Sequence, residues 1–275
     1  MSDAATAAPD RSGLRCMGLD KHFGALHVTR DLDLQVLTGQ VHALIGPNGA
    51  GKTTALAQLS GELVSDGGTI QLDGRDITPL SLPDRVQAGI ARSYQISSIF
   101  RTFTVRENVE LALQAGDRHS FRFFRPASAN RARRAQAEVL LDRVGLAEVP
   151  NLLASSLAHG QTRQLEIAMA LASEPKVVLL DEPMAGIAPR EAGGLTRLIA
   201  DLADDMAVLL VEHDMDVVFA ISATITVLDE GRKVAEGTPA QIRADAAVQE
   251  LYLQDGPADP AGHAHRPEEP TDAAR

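Results

Sequence analysis

The sequence is short of cysteine, of positive charge and of long apolar runs. Its one cysteine, Cys16, cannot close an internal disulfide, which points to a reducing, intracellular compartment and a free structural thiol. Lys and Arg number 26 against 37 Asp and Glu, a net charge of −11. Broad electrostatic attraction to nucleic acid or to an anionic lipid surface is therefore disfavoured, and any phosphate must be gripped locally. No stretch approaches the eighteen or so apolar residues of a membrane span; runs such as Val177–Leu180 end at charges. The opening decapeptide lacks both a basic segment and an apolar stretch, so it is not a secretory signal, and the chain is expected to stay in the cytosol.

What is present is 44% hydrophobic residues in 275, enough for one large packed domain or two modest ones. Residues 1–12 and 254–275 are rich in Ala, Pro and charge without apolar periodicity and read as disordered tails. His263 and His265 in the second tail could form a weak metal site, although a solvated segment is the plainer reading. Between the tails the fold class is α/β. Strand-like alternation over Val28, Leu32, Leu34 and Val36, then Val41–Ile45 and Thr69–Leu72, predicts a mixed sheet with an antiparallel part. From Val105 to Leu153 the spacing turns helical, as in Val105, Val109 and Leu113 or Ala137, Leu140, Leu141 and Val144, and predicts a helical subdomain. This block concentrates Arg118, Arg122, Arg125, Arg131, Arg133 and Arg134 around Phe121, Phe123 and Phe124, which suits a solvated face, a protein-docking surface or a nucleic-acid contact. Two further apolar runs, Val177–Leu180 and Val208–Val211, each stop at acidic or histidine residues and read as buried parallel strands whose carboxyl ends present functional groups. A hairpin across Glu230-Gly231-Arg232 closes the sheet, and no repeat of the pattern is present.

The strongest chemical signal is Gly46-Pro47-Asn48-Gly49-Ala50-Gly51-Lys52-Thr53-Thr54, which fits G-x-x-x-x-G-K-[ST] between a strand and an apolar helix expected over Ala55–Leu59. Glycines let successive backbone N–H groups converge on one anion, and the helix adds its positive end. Lys52 is expected at the β and γ phosphates of a nucleotide and the Thr53 hydroxyl on Mg²⁺. Asp181, closing the run Val177–Leu180, supplies a carboxylate for Mg²⁺ through water, and Glu182 a candidate general base. His213, in Glu212-His213-Asp214, falls at another strand's carboxyl end, near a γ-phosphate.

Together these residues resemble the ATP-binding cassette (ABC) ATPases. Leu157-Ala158-His159-Gly160-Gln161, followed by a helix expected over Arg163–Leu171, is similar to that family's signature L-S-G-G-Q. Gln95 matches the glutamine loop that reaches catalytic water and Mg²⁺, His213 the switch histidine and Phe23 the aromatic that stacks on adenine. The resemblance spans residues 13–253, with the helical subdomain at about 96–170, and implies ATP and Mg²⁺ as cofactors. Finer strings look like the ATPases of branched-chain amino acid importers: Leu165-Glu166-Ile167-Ala168, Asp181 through Gly186, Val211 through Met215, and Glu236-Gly237-Thr238-Pro239 through Leu253. Urea and short-amide importer ATPases are close relatives, and the lipopolysaccharide exporter shares the ending.

The resemblance implies a peripheral subunit on the cytoplasmic face of the inner membrane, docked on transmembrane permease subunits through the Gln95 region and the helical insert. An extracellular solute-binding protein would complete the system, with no nucleic acid as partner. Two cassettes would close on two nucleotides, each between one subunit's phosphate loop and the other's signature. Ala158 departs from the signature serine, and Ala188, in Ala185-Gly186-Ile187-Ala188, from the aspartate common in the family's D-loop, so a second, different cassette is the expected partner, with a homodimer as the alternative. A soluble ABC ATPase acting on nucleic acid is the competing class, but its usual second cassette or long coiled coil is missing.

Overall fold

The computed structural model describes residues 12–93, 99–116 and 127–254. Two sheets form the frame. The first is antiparallel, in the order β2 (Leu26–Leu37), β1 (Gly13–Phe23), β4 (Gly67–Leu72) and β5 (Arg75–Asp76). The second has six strands in the order β10 (Arg232–Gly237), β9 (Thr224–Asp229), β3 (Val41–Ile45), β8 (Ala207–Val211), β7 (Val177–Asp181) and β6 (Ile90–Ser93). From β9 to β6 its strands run parallel; β10 returns antiparallel. The mixed sheet expected from sequence is this six-stranded one, and the antiparallel part is a separate four-stranded sheet.

The uninterrupted apolar runs of β7 and β8 follow from burial on both faces. Val177, Leu179, Leu209 and Val211 face one core, shared with β1, β2, β4 and helix α1 (Lys52–Ser60). Val178, Leu180, Val208 and Leu210 face the other, filled by α3 (Val105–Gly116), α4 (Ala127–Arg143), α5 (His159–Leu171) and α6 (Pro189–Leu202). On α6 the buried Leu195, Leu198, Ile199 and Leu202 repeat at helical spacing. A third, smaller core joins β3 and β9 to α7 (Met215–Ile221), α8 (Pro239–Ala244) and α9 (Ala246–Gln254), while α2 (Leu82–Ala88) precedes β6.

Two hairpins turn through residue pairs in which both φ values are positive: Asp73 and Gly74 between β4 and β5, and Glu230 and Gly231 between β9 and β10. Such turns match the strands' own twist. Cys16 is buried with its thiol 3.5 Å from the Leu32 carbonyl, and burial pushes its pKa up to about 12, which bears out an inert structural thiol.

The helices extend further than their apolar spacing predicted. Helix α1 begins at Lys52, not Ala55, because Gly51 in the left-handed region caps it and leaves the lysine as its first residue. Helix α5 begins at His159, not Arg163, so the Leu157–Gln161 string is not a loop ahead of the helix; its last three residues are the first turn. Polar residues in a first turn carry no apolar periodicity, and both starts were hidden for that reason. Arg131, Arg133 and Arg134 lie on α4, where Arg134 pairs with Glu138 at 3.2 Å one turn on; Phe121, Phe123, Phe124 and the other insert arginines lie outside the described residues, as do His263 and His265. Among the described residues no helix is long and apolar enough to cross a membrane.

Candidate functional site

Four of the parallel strands, β3, β8, β7 and β6, end on one edge of the sheet, and each delivers a segment singled out from sequence. Strand β3 leads into Gly46–Thr54, β7 ends at Asp181 and Glu182, β8 at Glu212 and His213, and β6 stops at Ser93, two residues before Gln95. Gln95 itself lies outside the described residues. An open α/β sheet binds its ligand beyond the carboxyl ends of its strands.

The loop after β3 has a backbone that other residues could not take. A Cβ on Gly46, at φ 149°, would stand 2.1 Å from the Leu228 carbonyl oxygen, and one on Gly51, at φ 99°, 2.6 Å from that of Val28. Both are closer than atoms can approach, so the loop's path is fixed by glycine. Lys52, Thr53 and Thr54 form the first turn of α1, where backbone N–H groups have no partner within the helix. The Lys52 ammonium curls back onto the carbonyls of Gly46, at 2.7 Å, and Pro47, at 2.9 Å. Its pKa is lowered by burial, and the Glu182 and Asp181 carboxylates oppose that shift.

A cleft of about 510 Å³ opens over this loop, lined by Asn48, Gly49, Ala50, Gly51, Lys52, Thr53 and Thr54 together with Glu182, and walled by Leu26, His27, Val28 and Arg30 of β2. Lys52 and Glu182, far apart in sequence, thus face one cavity. Phe23 is half exposed at the β1–β2 turn, paired across it with Leu26 of the cleft wall. His27 and Arg30 were missed from sequence, where neither falls in a motif. Beside them the rings of His22 and His27 stack at 3.8 Å and 17°, both in contact with Asp20. Near-parallel rings cannot both point a nitrogen at one ion, so this arrangement is read as a hydrogen-bonded His–Asp cluster.

Asp181 is buried, and one of its oxygens, Oδ2, accepts from Arg92 at 2.9 Å, while Oδ1 has no hydrogen-bond partner among the described residues. Burial raises its pKa and the Arg92 guanidinium opposes the rise. Glu182 follows with φ 46°, a left-handed conformation that costs a non-glycine residue on the order of 1–3 kcal/mol. Bonds from its N–H to the Val211 carbonyl and from the Ala185 N–H to its own carbonyl hold it there. Glu212, also missed, is buried and accepts from the N–H groups of Met184 at 2.7 Å and His213 at 3.1 Å. Burial raises its pKa, partly offset by these bonds. The His213 side chain stands 68% exposed, its Nδ1 3.9 Å from Glu212.

In the signature string, Ala158 caps α5 and its N–H donates to the Gln161 side chain at 3.1 Å. The reciprocal bond needs a side-chain oxygen at the cap, which alanine lacks. His159 contacts the Ala185 carbonyl at 3.2 Å, and the Gly160 N–H donates to Glu191 Oε2 at 3.3 Å.

Compared with known proteins, residues 29–185, more than half of the chain, match the family described as ABC transporter. The chain belongs to the ABC transporter family. Residues 232–253 match a second family, the branched-chain amino acid ATP-binding cassette transporter. The high-affinity branched-chain amino acid transport ATP-binding protein BraF of Pseudomonas aeruginosa is 38% identical over 247 residues, 87% of this chain and 97% of its own. Its counterpart LivG of Escherichia coli is 39% identical over 244 residues, 86% and 95% of the two chains. The lipopolysaccharide export ATP-binding protein LptB of Haemophilus influenzae is 34% identical over 241 residues, covering 87% and 96%. Among solved structures, the ATP-binding cassette MJ1267 superposes with a TM-score of 0.77 at 27% identity, covering 88% of this chain and 98% of its own; a structure of its ADP conformation gives 0.75 at 26%.

The residues of this ABC cassette fit a magnesium nucleotide. The glycine loop leaves room where side chains would clash, and the unpartnered Asp181 Oδ1 with the Thr53 hydroxyl makes a hard oxygen donor set of the kind Mg²⁺ takes.

Proposed function

We propose that the chain is the ATP-hydrolysing subunit of an ABC importer for branched-chain amino acids. The observation that carries the ATPase reading is the shared cleft in which the phosphate-loop lysine faces Glu182, with Asp181 at the adjoining strand end. The backbone N–H groups of the loop and the first turn of α1 grip the phosphates, and Lys52 leaves the Gly46 and Pro47 carbonyls to pair with the β and γ oxygens. Asp181 and Thr53 hold the metal, with Gln95 as a further contact; Mg²⁺, when bound, neutralises charge on the transferred phosphoryl group. Glu182 accepts a proton from the attacking water as general base, and His213 contacts the γ-phosphate when the site closes. Phe23 stacks on adenine.

The importer reading rests on the two branched-chain relatives and on the match at residues 232–253. The chain sits at the cytoplasmic face of the membrane on permease subunits fed by a solute-binding protein. In the closed pair of cassettes, Ala158, His159, Gly160 and Gln161 of this chain cover the nucleotide held by the partner, whose own signature covers this chain's nucleotide. The partner is a different cassette carrying a signature serine; a purified complex holding two copies of this chain and no other ATPase would overturn that.

The test is uptake of labelled leucine, isoleucine, valine, urea and short amides in cells carrying the native chain or Glu182→Gln, with ATP binding and turnover measured on the purified complex. Glu182→Gln should retain ATP binding and slow turnover by about 10²–10⁴-fold, while Lys52→Ala should weaken binding itself. Loss of branched-chain uptake supports the cargo, and loss confined to urea or amides moves it. Unchanged uptake of all of them points to lipid export, as the likeness to LptB allows.

A further inference from the structure

Arg92, three residues before Gln95, received no role from the sequence motifs, yet it joins three elements of the nucleotide site. It sits on β6 beside β7, opposite Leu179, and its side chain is only 7% exposed. One arm of the guanidinium reaches Glu62, just past the end of α1, at 2.8 Å; the other reaches Asp181 Oδ2 at 2.9 Å. The Asp181 side chain is 1% exposed, and its second oxygen, Oδ1, is buried without a hydrogen-bond partner among the described residues. A carboxylate on its own turns about its last bond and offers either oxygen. Here one oxygen is taken by a planar fork whose second arm is tied to another element, so the torsion is set.

We propose that Arg92 is a positioning residue for the nucleotide's metal, fixing Asp181 through Oδ2 so that Oδ1 is presented to Mg²⁺. The inference rests on the proposed Mg²⁺–nucleotide site. Groups of this kind, one step removed from the ion, orient the ligands that hold it. Arg92 acts through geometry: its charge, taken alone, repels Mg²⁺. Replacing the fork while keeping the charge therefore separates the two effects. Arg92→Lys retains the cation but cannot hold one oxygen from a planar, two-armed anchor. Glu62→Gln leaves Asp181 and Arg92 in place and loosens the far end of the anchor.

The experiment titrates Mg²⁺ into the purified cassette with a fluorescent ADP analogue, first in EDTA and then with the metal, and follows Mn²⁺ binding to the ADP complex by electron paramagnetic resonance. Expected is unchanged ADP affinity in EDTA for Arg92→Lys, with Mg²⁺ and Mn²⁺ midpoints raised about tenfold. Glu62→Gln should shift them in the same direction by a smaller factor. Metal midpoints unchanged in both variants, or lowered in Arg92→Lys, overturn the inference, whatever happens to melting temperature. Should Arg92→Lys fail to fold, Glu62→Gln decides. If the native chain itself shows no metal-dependent ADP binding, the nucleotide-site reading fails and Arg92 has nothing to position.

Discussion

The carboxylate of Glu212, at the end of β8, accepts the backbone N–H of Met184, in the turn after β7, at 2.7 Å. It accepts the N–H of His213 as well, so one buried side chain bridges the two strand ends that carry Glu182 and His213.

Glu212→Ala strands both N–H groups. Each unsatisfied buried donor costs about 1–3 kcal/mol, so a loss of roughly 3 kcal/mol is expected in chemical denaturation. Because Met184 lies two residues beyond Glu182, turnover should fall further than ATP affinity. Equal stability of variant and native chain would show that water replaces the carboxylate.

Ala158→Ser supplies the cap oxygen that α5 lacks. A serine cap is worth about 0.5–2 kcal/mol over alanine, so the variant should be more stable by roughly 1 kcal/mol. The Gln161 side chain already holds the Ala158 N–H, leaving the serine hydroxyl to accept from the Gln161 backbone. Urea denaturation of the two chains measures the difference. In the proposed paired cassettes the same hydroxyl would also reach the nucleotide opposite and raise turnover.

The edge of parallel strand ends was legible in sequence because it is written in short strings that demand one chemistry each. A glycine loop before Lys52 and carboxylates after four apolar residues have few other uses. Arg92, Glu212 and Glu191 were not legible, because their roles depend on strand and helix neighbours, as with Arg92 on β6 against β7. The starts of α1 and α5 were hidden by polar first turns. The apolar alternation of β2 was readable because one face of that strand is buried. Strand β7 shows no alternation, since its two faces enter different cores, and it was read instead from its uninterrupted apolar run. His27 and Arg30 became visible only once β2 was seen to wall the cleft.

His42 on β3 is buried, with Nε2 2.8 Å from the Thr226 hydroxyl, which in turn donates to Glu236. Burial pulls its pKa down to about 4 from the usual 6.5, against the nearby Glu236 and with the help of Lys233. The unfolded chain therefore takes up a proton at this residue between pH 6.5 and 4 that the folded chain refuses. Stability is intact above pH 6.5 and is lost as pH falls toward 4, by up to about 1.4 kcal/mol per pH unit. The raised carboxyl groups of Asp181 and Glu212 have the opposite sign, favouring the folded state on acidification, and they are common to both proteins compared. His42→Gln should lose less stability over this window than the native chain, whatever its stability at pH 7.5; parallel curves from denaturation at a series of pH values would contradict it.

Glu191 gives the signature helix a counterion of its own. Its carboxylate holds the Gly160 N–H at 3.3 Å, and a Cβ on Gly160 would stand 2.7 Å from that oxygen. In the proposed closed pair a phosphate from the facing subunit comes to the same N–H. The donor then trades one anion for another instead of leaving water for its first, and closure becomes a displacement reaction in which the incoming phosphate must be the better ligand.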